Sequence, residues 1–200
     1  MPKAAEIVGL YMGLPDNAVV LSVDEKPSIQ ALERAPGCLN LPNGRAMIGR
    51  SHDYKRNGTT TLFAALNVGT GEVTGRHYKR RRRLEFLDFM NRMVKLHQGK
   101  EIHVVLDNLS THKPKRDLWL ARHPNVHFHY TPTYTSWLNQ IEIWFSILSG
   151  KSLKGGLFGG VLELIAHIDA FIASYSEDVR PFVWTKSVVR QKRMKACFAV

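Results

Sequence analysis

Cysteine is nearly absent: Cys38 and Cys197 are the only two in 200 residues. A distant pair with no CxxC spacing argues against a disulfide framework and against a cysteine-built zinc site. Long apolar runs are missing as well. No stretch approaches the ~18 residues needed to span a bilayer, and the start of the chain has no signal-peptide pattern. No membrane partner is expected, and the expected location is cytoplasmic. Acids are scarce, with 17 Asp and Glu against 28 Lys and Arg, for a net charge of +11. What remains is 44% apolar, which suits one globular domain with its own core rather than a disordered chain.

The basic excess is clustered. Arg34, Arg45, Arg50, Lys55 and Arg56 dot one stretch, and Lys79-Arg80-Arg81-Arg82-Arg83 forms a second. From Arg180 onward come Arg180, Lys186, Arg190, Lys192, Arg193 and Lys195, with no acid between them. One such cluster is as readily a solvated face. Three in a small chain form an electrostatic footprint for nucleic acid.

The periodicity gives a short helix over 4–12, a strand over 18–24 and a hairpin over 59–78 that turns at Gly69-Thr70-Gly71. A helix over 83–98 follows, closed by Gly99. Next come a strand over 102–107, a helix from Ser110 or Thr111 to Arg122, a strand over 126–130 and helices over 137–149 and 161–175. Residues 25–57 show little periodicity and read as a long loop, open to use as a DNA clamp or a dimer contact. The order of elements predicts an α/β fold: a five-stranded mixed sheet flanked by helices. Residues 1–17 read as an N-terminal segment or linker, 18–178 as one domain built on that sheet and 179–200 as a basic C-terminal tail.

Three acids stand out. Asp24 ends the apolar run 18–23 and Asp107 ends the run 102–106, both at strand ends, where open α/β sheets place ligands. Glu142 falls ~80° from the centre of the stripe formed by Leu138, Ile141, Phe145 and Leu148, at the edge of a buried face. Singly, each has a plain reading as a turn or surface residue. Together, three carboxylates repel, and a divalent cation relieves the repulsion. Oxygen donors of this kind suit Mg²⁺ or Mn²⁺. A pair of such ions can activate water or a 3′-hydroxyl toward phosphate without a protein nucleophile. Trp137, Trp144 and Phe145 read as core by their helical spacing, Trp119 and Trp184 as structural, and His103, His127 and His129 as strand residues.

Three segments carry a resemblance: Val20 to Lys26 (VLSVDEK), Val105 to His112 (VLDNLSTH) and Pro132 to Glu142 (PTYTSWLNQIE). They resemble the catalytic domain of DDE transposases, in the bacterial insertion-sequence branch of the mariner superfamily. The 34 residues between Asp107 and Glu142 match that branch's spacing. The resemblance implies a ribonuclease H-like fold and a DNA endonuclease and strand transferase that cuts transposon ends and joins them to target DNA. It implies two Mg²⁺ or Mn²⁺ ions per site on Asp24, Asp107 and Glu142, and association with the bacterial nucleoid. A homodimer on DNA is compatible with it. Asn108, His112 and Asn139 fall in the same motifs as supporting or DNA-contacting residues, with structural roles equally open. Arg45, Arg50, Lys55, Arg56, Lys79 to Arg83, Arg190, Lys192 and Arg193 are the DNA-binding candidates. Family members usually carry N-terminal helix-turn-helix modules, for which this chain has no room before residue 18. It therefore reads as a truncated copy, a separately encoded half or an excised domain, with weak end recognition. The rival readings are a catalytically silent DNA-binding remnant and a ribonuclease H-type nuclease.

Overall fold

The computed structural model describes residues 2–13, 16–40, 46–113, 116–133 and 135–183. For residues 2, 3, 34–40 and 46–53 it describes the backbone only. The elements are α1 (Pro2–Met12), β1 (Ala18–Asn40), β2 (Ala46–Asn67), β3 (Val73–Tyr78), α2 (Arg83–Leu96), β4 (Glu101–Leu106), β5 (Val126–Tyr130), α3 (Ile141–Leu148) and α4 (Val161–Glu177). They build a five-stranded sheet in the order β3-β2-β1-β4-β5. β1, β2 and β3 pair antiparallel, whereas β4 and β5 run parallel to β1. The mixed sheet expected from the order of elements is present.

Alternation along β1 divides the core. Val19, Leu21 and Val23 point to one face, where Phe86, Phe89, Met90 and Met93 of α2 cover them. Fully burying each of those α2 side chains contributes about 1.5–3 kcal/mol. On the other face, Leu62, Ala64 and Leu66 of β2 pack under Trp144, Phe145, Leu164 and Ile168 of α3 and α4. α1 closes the same side through Ile7, against Val20 and Val105. The result is three layers, helix on sheet on helix. Among the described residues no helix is long and apolar enough to cross a membrane.

Two expectations are corrected. Residues 25–57 do not form a loop: β1 and β2 continue as a long hairpin, paired as far as Asn40 and Ala46. Prolines and charged residues masked the strand pattern. Pro27 lies in the register shift between Lys26 and Ile29, and further shifts fall between Gln30 and Leu32 and between Arg34 and Pro36. β1 pairs with β4 only through Ser22, so beyond it one edge of β1 asks for no ladder donor and tolerates proline. The helix expected from Ser110 or Thr111 to Arg122 reduces to a single 3₁₀ turn at Leu120–Arg122. The preceding residues are committed to side-chain contacts described below.

Smaller differences lie at the ends. The helix expected over 137–149 is a 3₁₀ turn (Ser136–Leu138), then α3, then a π turn at Ser149–Leu153. Residues at the start of the expected tail pack on the domain. The Arg180 backbone lies against the β2–β3 turn, and Phe182 packs on the α3/α4 core. Gly99 does not cap α2, which ends at Leu96 with His97 as its C-cap; with φ 75 it lies in the turn that follows.

Candidate active site

The β1–β4 register aligns two of the acids. The last parallel pair is Ser22 with Val105, and Asp24 on β1 and Asp107 just past the end of β4 each lie two residues beyond it. Asp24 is not at a strand end, because β1 continues past it. It sits where β1 loses β4 as a neighbour, which opens that edge as a strand end would.

α3 brings the third acid through a buried polar joint. Asn139 is fully buried just before α3. Its Nδ2 donates to the Val23 carbonyl at 3.0 Å and approaches Asp24 Oδ2 at 3.4 Å, and its Oδ1 accepts from the Ser22 hydroxyl. Ser22 Oγ in turn accepts the Ile141 amide at 3.0 Å. The start of α3 is thereby pinned to β1, and Glu142, in its first turn, is exposed and near enough for its charge to act on Asp24. A buried amide with its hydrogen bonds made is retained for this geometry, since an unpaired one costs about 1–3 kcal/mol.

The residues after Asp107 form a second joint. His112 is fully buried, and its Nδ1 meets Asp107 Oδ1 at 2.6 Å while its Nε2 meets Glu25 Oε1 at 2.8 Å. Asp107 Oδ1 also accepts the Leu109 amide at 3.1 Å. Arg83 braces the same loop from α2. It donates to the His112 carbonyl at 2.9 Å and the Thr111 carbonyl at 3.2 Å, and pairs with Asp117 at 2.9 Å. These commitments displace the helix expected here. Glu25 escaped the sequence reading. It follows Asp24 but points to the opposite face, where it is 6% exposed. Its position one step after an acid, on the apolar face of Leu21 and Val23, was the available signal.

Charge accumulates at the site. Burial, and then the charge of Asp107, pushes the Asp24 carboxyl up to about 8. Glu25 and Glu142 add to this, and the hydrogen bond from the Glu25 amide opposes it. For His112, burial pulls toward the neutral form. The hydrogen bonds and charges of Asp107 and Glu25 outweigh it and raise the pKa to about 10, so the ring is an imidazolium held between two carboxylates. The donors facing the cleft are all oxygens, and those of Asp24 carry a charge that burial penalises, which is the chemistry a hard divalent cation matches. Among the described residues no three acidic or histidine side chains are gathered tightly enough to enclose an ion by themselves. Water and phosphate oxygens would have to complete its sphere.

The geometry agrees with comparison to known proteins. A family profile described as DDE superfamily endonuclease matches residues 21–165, most of the chain and all three acids. The chain belongs to the DDE superfamily endonucleases. It is 25% identical over 123 residues to the insertion element IS630 uncharacterized 39 kDa protein of Shigella sonnei, a match covering 60% of this chain and 35% of that one. It is similar in structure to the mariner Mos1 paired end complex with Mg, at TM-score 0.62 and 14% identity, over 86% of this chain and 53% of that one. The catalytic domain of Mos1 mariner transposase aligns at TM-score 0.57 and 13% identity, over 86% of this chain and 78% of that one. The fold is thus ribonuclease H-like. The chain spans about a third of the length of its insertion-element relative.

The other candidates in this DDE domain fall in different places. Asn108 is exposed at the start of the loop and stands apart from the two polar joints. Lys79, Arg80 and Arg81 are exposed between β3 and α2, and Arg82 is exposed but paired with Glu85. Arg83 is turned inward, as described. Lys55 and Arg56 are exposed on the long hairpin, Lys55 at 3.8 Å from Glu33 and Arg56 over the Tyr54 ring. Arg50 lies on β2 with its side chain outside the description, and Arg45, Arg190, Lys192, Arg193 and Trp184 lie outside the described residues. Trp119, Trp144 and Phe145 are core as expected, but Trp137 is 40% exposed, being in the 3₁₀ turn rather than on α3. His103, His127 and His129 are strand residues, stacked side by side across β4 and β5.

Proposed function

We propose that this domain is the catalytic part of an insertion-sequence transposase, cutting DNA at transposon ends and transferring the strand to a target. The observation that carries it is the alignment of Asp24 with Asp107, with Glu142 close enough to raise the Asp24 pKa. Asp24, Asp107 and Glu142 would hold two Mg²⁺ or Mn²⁺ ions. The chemistry such ions supply when bound is activation of a water or 3′-hydroxyl and neutralisation of charge on the phosphate. The chain's own part is to hold the oxygens in place. Asn139 orients Asp24 from the turn before α3. His112 takes one oxygen of Asp107 and leaves the other for the cleft. DNA as the substrate, a homodimer on it and a cytoplasmic, nucleoid-associated location follow from the same reading. The net charge of +11 and the exposed Lys79-Arg80-Arg81 run support it.

The test is a nicking assay on supercoiled plasmid with Mg²⁺, Mn²⁺ or EDTA, with an RNA–DNA hybrid as competitor. The proposal expects nicking with either ion, none in EDTA, and duplex DNA preferred over hybrid. Preference for the hybrid would make the chain a ribonuclease H-type nuclease. DNA binding without nicking in either ion would make it a silent remnant.

A further inference from the structure

Beside Glu142 opens a cavity of about 460 Å³. Lys26, Glu142, Phe145, Ser149, Gly150 and Lys154 line it. Lys26 lies two residues after Asp24 and, by the period of a strand, on the same face. Its ammonium sits 5.9 Å from the centre of the Phe145 ring, which holds it on the cavity wall. Lys154 comes from the far side, just after the π turn. That turn is fixed by Ser149 Oγ donating to the Phe145 carbonyl at 2.7 Å and by the Lys154 amide donating to the Ser149 carbonyl at 2.9 Å. A π turn widens the end of a helix, and such turns recur at functional sites. Gly150 leaves the wall open, with no atom within 4 Å of where a Cβ would stand.

Among the described residues, neither Lys26 nor Lys154 has a carboxylate within 4.0 Å. Two cations thus flank a groove walled by Glu142, one of the three acids. A phosphodiester strand approaching those acids meets repulsion, and cations beside them offset it. We propose that Lys26 and Lys154 form a phosphodiester-binding site that seats a DNA strand next to Glu142. This rests on the transposase reading and names the residues that bring DNA to its acids.

The experiment is binding of a fluorescein-labelled DNA duplex to the full chain in EDTA, followed by anisotropy across a salt series. Lys26→Gln with Lys154→Gln is compared with Lys151→Gln, which removes a charge on the same π turn but outside the cavity. The slope of log affinity on log salt should fall by about one for each cavity lysine. Lys151→Gln should leave it near the parent value, and Lys26→Arg with Lys154→Arg should restore it. A double Gln variant with the parent's slope, or one no lower than that of Lys151→Gln, overturns the site. The two readings separate because binding in EDTA needs no cutting. A parent chain that never nicks, with a double variant that loses slope, sinks the transposase activity and keeps the site. A parent that nicks, with slopes unchanged, does the reverse.

Discussion

Glu25 and His112, 87 positions apart in the chain, meet at 2.8 Å inside the protein, and through that ring Glu25 reaches Asp107. Both partners are buried, so the contact carries a large penalty if it is left half made. His112→Ala strands the Glu25 carboxylate, a loss of about 3–5 kcal/mol for breaking a buried pair. In a chain this long that is a fall in Tm of roughly 10 °C. Glu25→Gln keeps a hydrogen-bonding group in place and should fall less. Thermal unfolding by circular dichroism reads both, and a His112→Ala protein that melts with the parent refutes the joint.

The sign of the Asp24 shift sets a pH dependence. Its folded pKa of about 8 lies above the ordinary 3.8, so between those values the folded state binds more protons than the unfolded one. Stability from this group is present at low pH and lost as pH rises toward 8. Asp24→Asn should therefore raise Tm at pH 8, without added metal, more than at pH 5. Mg²⁺ should raise the Tm of the parent more at pH 8 than at pH 5. An Asp24→Asn variant that is less stable at pH 8 contradicts the assignment.

Arg81 and Arg83 are neighbours in one basic run but differ in role. Arg83→Ala removes charged hydrogen bonds to the Asp107 loop, at about 1.5–3 kcal/mol, and should lower Tm. Arg81→Ala should leave Tm alone and weaken DNA binding, with a shallower salt dependence. Equal melting temperatures for the two variants would show that Arg83 braces nothing.

Gly71 has φ 83, and a Cβ there would stand 2.7 Å from the Arg180 carbonyl oxygen. Gly71→Ala should cost about 1–3 kcal/mol from the left-handed backbone and the displaced chain after α4. Urea unfolding measures this, and an unchanged midpoint would mean that Arg180 does not pack there.

Much of this was legible because the informative signals are local or periodic. Apolar runs ending in Asp24 and Asp107 mark two strands with an acid at the end of each run, although the β1–β4 pairing that aligns them is a tertiary fact. Asn139 was legible as a motif residue, although its bonds to Val23 and Asp24 were not. The failures share a cause. The long hairpin owes its existence to pairing between β1 and β2 and hides behind Pro27 and Pro36, which local propensity reads as loop. Ser110 and Thr111 offer a helix cap, but Asp107 takes the Leu109 amide and Arg83 the Thr111 and His112 carbonyls. Glu25 looks like a solvated neighbour of Asp24 until α2 and His112 close over its face.

The most direct measurement is plasmid nicking in Mn²⁺ by Asp24→Asn, Asp107→Asn and Glu142→Gln beside the parent, with DNA binding followed in parallel. The account predicts loss of nicking by at least about 100-fold in each variant, the scale on which removing a group that stabilises charge in the transition state is felt. DNA binding should be retained. Any one of the three nicking at the parent's rate, while bound to DNA, would contradict the three-acid site.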